Sequence, residues 1–141
     1  MNLDFLGWND FFAKHFAPYG AHGYIPARVI SEHKHLYRLQ TDTHDLMAQI
    51  AGKLRYTSTG FQDFPAVGDW VAIAARPKEG TATIHALLPR KSKFSRKAVG
   101  KAMDEQVVAA NMDTVFLVNA LNHDFNPRRL ERYLTIAWES G

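Results

Sequence analysis

Residues 64–77 read FPAVGDWVAIAARP, and their reading decides the fold. Proline, glycine and aspartate at Pro65, Gly68 and Asp69 make a turn-like entry. Trp70, Ala72 and Ala74 then alternate with Val71, Ile73 and Ala75, the period of a β-strand. Asp69 fits a turn residue entering that strand better than a general base. Upstream, YIPARVISEH (24–33) and HLYRLQTD (35–42) are β-rich runs joined by a hairpin loop over EHK. HDLMAQIAGKLRY (44–56) follows the turn residues TDTHD, with Gly52 placed for a bulge or sharp bend in a strand. Downstream, GTATIHALLPRKSKF (80–94) follows RPKEG. Five short strands within roughly 70 residues suit a small barrel of the OB-fold type. Periodicity leaves an SH3-like barrel open as the alternative.

The flanks follow other rules. In residues 1–23, Phe5, Trp8, Phe12 and Phe16 recur at helix-like spacing before the breaker APYGAHG, so a short helix and a loop are expected to pack on the barrel. Residues 104–141 contain TVFLVNAL (114–121), an apolar run of the kind buried on both faces of a parallel sheet. NHDFNPRRLERYLTIAWESG follows and reads as an amphipathic helix. Asn126 is its candidate cap, Pro127 its first residue and Gly141 its end, with Leu130, Tyr133, Leu134, Ala137 and Trp138 on one face. Strand then helix is the first half of a βαβ unit, and the reading expects the front part of a longer protein. The expected division is 1–23 extension, 24–93 barrel, 94–103 basic linker and 104–141 an incomplete α/β domain.

The 141 residues are 46% hydrophobic and 22% charged, the balance of a packed protein and not of a disordered one. The net charge is only +3, but it is gathered unevenly. No cysteine is present, which excludes disulfides and thiolate metal sites and fits a reducing cytoplasm. No apolar run approaches the roughly 20 residues that span a bilayer. A soluble cytoplasmic protein is expected, with no membrane partner.

PRKSKFSRKAVGK (89–101) carries Arg90, Lys91, Lys93, Arg96, Lys97 and Lys101 around Phe94, without an acid. Such density neutralises phosphates with little regard to base sequence, and Phe94 offers a stacking surface. The bland alternative is a solvated linker. Position favours the first, because the run is the exit from a barrel type that binds RNA. His33, Lys34, Arg38, Lys53 and Arg55, with Arg28, Tyr56 and Phe61 nearby, add charge and stacking surface within the barrel. His33 and His35, two apart with His44 in the next turn, have a spacing that can bind zinc, but a third and fourth ligand would be needed. With no cysteine and no HExxH pattern, no metal site is expected. No catalytic constellation stands out. There is no GxxxxGK[ST] loop, and NMD (111–113) lacks the lysine of a guanine-reading Asn-Lys-x-Asp and precedes its strand where such residues follow one.

Taken together, FPAVGDWV, LPRKSKFSRK, EQVVAANMDTVFLV and FNPRRLERYLTIAWESG make the chain resemble the ribosome small subunit-dependent GTPase A family of circularly permuted GTPases, from about residue 24 to the last. LGWNDFF is similar to an amino-terminal extension found in some members. The resemblance implies a mainly β fold: a five-stranded OB-fold barrel with a short N-terminal helix, then the first strand and helix of a P-loop GTPase domain. It implies GTP with Mg2+ and a structural Zn2+ for the complete protein, with the motifs for both lying beyond residue 141. This stretch alone is therefore expected to hold no nucleotide and to be inactive as a GTPase. The implied partner is the small ribosomal subunit and its rRNA, met through the first hairpin loop, here Glu32 to Lys34, and through the basic run. The candidate RNA-binding set is His33, Lys34, Arg38, Lys53, Arg55, Arg90, Lys91, Lys93, Arg96, Lys97 and Lys101. Two other readings compete: residual GTP binding through incomplete elements, and a protein-interaction module in which the TVFLVNAL edge recruits a partner or pairs two copies of an otherwise monomeric chain.

Overall fold

The computed structural model describes residues 2–57, 63–97, 105–116, 118 and 127–139. A 3-10 turn, Leu3–Leu6, leads into helix α1, Asp10–Gly20. Strands β1 (Ile25–His33), β2 (Leu36–Gln40) and β3 (Asp45–Ile50) follow, then a short helix α2 (Gly52–Thr57). Strands β4 (Trp70–Arg76) and β5 (Thr81–Leu87) complete a closed barrel in the order β1-β2-β3-β5-β4. Every barrel contact is antiparallel except β3 with β5, which run parallel with Met47 opposite Thr81 and Ile50 opposite Ile84. This is the OB-fold, and the SH3-like alternative falls away.

The barrel is filled by the alternation visible in the sequence. Ala27, Val29, Tyr37, Leu39, Leu46, Ala48, Ile50, Val71, Ile73, Ala82 and Ile84 form one buried cluster. Strand β4 departs from simple alternation, since Trp70, Val71, Ala72 and Ile73 are all 0% exposed. The outer side of Trp70 is covered by the N-terminal extension. Phe12 and Leu88 join it in a second cluster, flanked by Leu3, Leu6, Trp8, Phe11, Phe16 and Tyr19. The Trp8 ring meets Trp70 edge-on at 4.7 Å between centroids.

Three expectations need correction. The first helix begins only at Asp10, because Asn9 caps it by accepting from the Phe11 and Phe12 amides at 3.0 and 3.3 Å; Phe5 belongs to the preceding turn and is exposed. Gly52 is not a bulge in a strand. Strand β3 ends at Ile50 and Gly52 opens α2, which carries the chain from β3 to β4, a strand that is not its neighbour in the barrel and so cannot follow through a tight hairpin.

The third correction concerns residues 93–121. Lys93–Lys97, expected as barrel exit and linker, form strand β6, which pairs antiparallel with β7, Glu105–Ala110. The strand expected at TVFLVNAL is not seen where that run is described: Thr114, Val115 and Phe116 have no regular secondary structure, and Leu117 and 119–121 lie outside the described residues. A strand needs a neighbour to take its amides, and the neighbour present, β6, is matched by EQVVAA. Helix α3, Pro127–Glu139, starts at the proline as read. It buries none of its residues, with Leu134 53% and Trp138 90% exposed. Asn126 and Gly141, its expected cap and end, lie outside the described residues.

Candidate nucleic-acid interface

The eleven candidate residues, ten cations and His33, fall into groups that sequence could not separate. At one end of the barrel, the β1–β2 turn is made by Lys34 and His35, both left-handed at φ 52 and 63°. Such a two-residue turn matches the twist of the strands, although neither residue is the usual glycine or asparagine. The Glu32 carboxylate holds the turn by accepting from the His35 amide at 3.0 Å. His33 and Lys34 are exposed at this tip. Because Tyr37 pairs with Ala48, the residues after Ile50 emerge beside the tip, bringing exposed Lys53 and Arg55 on α2 to the same end. The His35 ring lies 6.2 Å from that of Phe64.

Arg38 stands on the outer face of β2 and is committed to Asp45 across β3, with Nη2 to Oδ2 at 2.5 Å and Nε donating to both oxygens. That hydrogen bond holds the Asp45 carboxyl below the usual range and raises the guanidinium further. Arg38 meets a phosphate only by exchanging this partner.

Arg90 is not available either. Its Nε and Nη2 donate to the two oxygens of Asp69 at 2.9 and 2.8 Å, and Nη2 also donates to the Phe64 carbonyl at 3.0 Å. The Asp69 side chain is 0% exposed and that of Arg90 13%. Burial pushes the Asp69 carboxyl up, opposed by Arg90 and by the Ala66 amide, which donates to Oδ2 at 2.7 Å. Asp69 is thus a turn residue, as read, and also the buried anchor of the first basic residue in the run. Removing either partner leaves a buried charge unpaired.

The rest of the run points elsewhere. Lys91 is exposed, its ammonium 5.8 Å from the centre of the Phe11 ring. Lys93 and Arg96 are exposed on β6, where strand alternation sends them to opposite faces; Arg96 Nε also reaches the Gln106 side chain at 3.3 Å. Lys97 ends β6 with its side chain outside the described set, and Lys101 lies outside it altogether.

Sequence reasoning missed the joint that fixes β6 and β7 against the barrel. Gly68, at φ 93°, has the Ala110 carbonyl oxygen 2.0 Å from where a Cβ would stand, so only glycine lets the chains approach. Next to it the Ala110 amide donates to the Val67 carbonyl at 2.8 Å. Asn111, left-handed at φ 57°, accepts from the Lys91 amide at 2.8 Å through Oδ1 and donates to the Gly68 carbonyl at 3.1 Å through Nδ2. VGDWV, LPRKS and AANMD therefore belong together: Gly68 makes room, Asp69 takes Arg90, Trp70 takes the N-terminal aromatics, and Asn111 ties both sides. A pocket of about 260 Å³ remains here, lined by Gly7, Asn9, Arg28, Lys91, Asn111 and Asp113 among others.

The architecture defines an OB-fold barrel with a strand hairpin locked onto its exit, in which the segment after the barrel is built into the joint and is not a loose tether. The sequence model of the RsgA GTPase family matches residues 87–141. The small ribosomal subunit biogenesis GTPase RsgA of Opitutus terrae is 48% identical over 97% of this chain and 40% of its own length. Its counterpart in Syntrophotalea carbinolica is 46% identical over the whole chain and likewise 40% of its own length. The chain belongs to the RsgA GTPase family. It spans about 40% of the length of these curated relatives. Among solved structures, YjeQ from Thermotoga maritima superposes with a TM-score of 0.55 over 83% of this chain and 38% of that one, at 19% identity. YloQ, described as a circularly permuted GTPase, gives 0.52 over 84% and 38% at 16% identity. At those identities the likeness speaks for the fold alone.

Proposed function

We propose that this chain is the RNA-binding part of a GTPase acting in the maturation of the small ribosomal subunit, and that GTP hydrolysis is carried out by residues outside the 141. Support comes from the relatives' names, which describe small-subunit biogenesis GTPases. It also comes from the chain's own motifs: no GxxxxGK[ST], no Asn-Lys-x-Asp and no cysteine occur in it, so these residues do not fit GTP with Mg2+ or a thiolate zinc site. In this reading residues 24–93 are the RNA-binding barrel and the residues after them begin the GTPase domain.

The observation that carries the reading is the exposure of Lys91, Lys93 and Arg96 on and beside β6, directly after an OB barrel whose hairpin tip presents His33 and Lys34. Barrels of this type bind nucleic acid through the face and loops around that tip. Arg90 is excluded from the contact set because its donors serve Asp69 and Phe64.

The test is the salt dependence of binding to small-subunit RNA. Since Lys93 and Arg96 stand on opposite faces of β6, no more than three of Lys91, Lys93, Arg96 and Lys97 meet one RNA strand. Replacing the four together by alanine is expected to lower the log-log slope by about 2, at 0.7 to 0.9 per phosphate contact. Leaving Arg90 intact keeps the fold out of the measurement. An unchanged slope means that this run does not meet phosphate.

A further inference from the structure

Arg28 lies in the middle of β1, in a strand otherwise occupied with the barrel, yet its side chain serves three separate parts of the molecule. Nε donates to the Gly68 carbonyl at 3.0 Å, at the entry to β4. Nη1 donates to the Leu6 carbonyl in the N-terminal turn. Nη2 donates to the Asn111 carbonyl at 2.8 Å, just past the end of β7. The guanidinium carbon stands 5.9 Å from the centre of the Trp70 ring, the residue on which the extension packs. Burial lowers the guanidinium's pKa, while Asp113 and Asp69 raise it, so negative charge faces it from both the hairpin and the barrel.

We propose that Arg28 is a positioning residue that clamps the N-terminal extension, the barrel and the β6–β7 hairpin into one body, so that the extension helps to set where the hairpin sits. Three facts carry this. The acceptors are main-chain carbonyls 22, 40 and 83 positions away in sequence, so each bond crosses between segments. A planar fork with donors along two edges can meet three carbonyls at once, which an ammonium on a flexible stem cannot do in fixed geometry. The extension also touches the clamp sterically: a Cβ at Gly7 would stand 2.7 Å from Arg28 Nη1, at a backbone φ of 93°.

That last contact provides a test that leaves the hairpin untouched. Gly7→Ala alters only the N-terminal turn and pushes on Nη1. If Arg28 transmits the push, amide hydrogen exchange should quicken at Ala110, which donates to Val67, and at Asn111, which donates to Ser92. An increase of about tenfold at both amides is the size expected for weakening one hydrogen bond to a charged group. Arg28→Met, which keeps the stem and removes every donor, should raise exchange at least as much. Arg28→Lys, which keeps the charge and loses the planar fork, should fall between wild type and Arg28→Met and closer to Met. Amides of Ala82 and Ile84 in the barrel serve as the check that the fold persists.

Quickening at Ala110 and Asn111 in Gly7→Ala, with the barrel amides within twofold of wild type, supports the clamp. Quickening confined to residues 3–20 overturns it, because the extension then has no hold on the hairpin. In Arg28→Met, unchanged exchange at Ala110 and Asn111 overturns it as well.

The consequence for binding rests on the function proposed above: a fixed hairpin lets the β6 cations and the β1–β2 tip meet one RNA together. The two ideas fail separately. Exchange data on the protein without RNA decide the clamp, and a wild-type chain whose RNA affinity is insensitive to salt decides against the interface while leaving the clamp standing.

Discussion

The barrel and the segment after it are built from equally apolar stretches but end in opposite states. In the barrel each strand finds two neighbours, and its large side chains are sealed: Trp70, Tyr37, Leu39 and Leu46 are at most 1% exposed. Among the described residues past 105, β7 has one neighbour within its sheet and a bridge from Val67 to Ala109, and Phe116 and Val118 are open to solvent at 86% and 92% exposed. Apolar sequence alone does not bury itself. Closure of a sheet does so in the first region, whereas the second region is held by a few polar contacts at one corner, namely Asn111, Gly68 and Arg28.

The largest expected effect attacks the contrast from the sealed side. Arg90→Met leaves the Asp69 carboxylate buried without its cation and should cost about 3–5 kcal/mol in chemical denaturation, as for other broken buried pairs. Asp69→Asn combined with Arg90→Met should recover part of that loss. A cost under about 1 kcal/mol, the range of exposed pairs, would mean that this corner is wetter than its geometry indicates.

Alkaline titration probes the barrel interior. Burial, helped by Glu32, pushes the Tyr37 phenol up to about 12 from an ordinary value near 10. The sign is that of an acid kept neutral by the fold. The unfolded chain loses this proton first, so the stability tied to Tyr37 is intact below pH 10 and is lost as pH rises from 10 through about 12. The loss should be on the order of 2 kcal/mol and absent in Tyr37→Phe. Equal slopes for the two proteins would place the phenol in water.

The smallest effect belongs to the open region. Trp138 is 90% exposed on α3, so Trp138→Ser should change stability by no more than about 0.5 kcal/mol, the range of surface substitutions. A loss of about 2 kcal/mol would show that the Trp138 face of α3 is covered in solution and that the contrast between the two regions is false.

Much of the barrel was legible. Turn chemistry around Gly68–Asp69 and RPKEG marked where strands begin, and the alternation of residues 70–75 marked a strand, although both of its faces are sealed from Trp70 to Ile73. Pro127 marked the start of α3. The failures share a cause. Gly52 reads as a bulge because its neighbours are β-like, but that the chain leaves the sheet there follows from β4 not being a neighbour of β3 in the barrel. TVFLVNAL has the composition of a buried strand, and composition cannot show which segment has a partner.

The candidate interface was less legible still, because charge can be counted along a chain while the destination of a side chain cannot. Arg90 and Lys91 are adjacent and chemically alike, yet one closes a buried pair with Asp69 and the other lies on the surface over Phe11. Sequence by itself determined the alternation that makes a barrel, the turns that bound its strands and the net excess of cations, since these are local properties of consecutive residues. Tertiary structure alone decided which cations are consumed by carboxylates and carbonyls and why Gly68 must stay bare, because those outcomes depend on groups as far apart as Gly68 and Ala110 meeting in space.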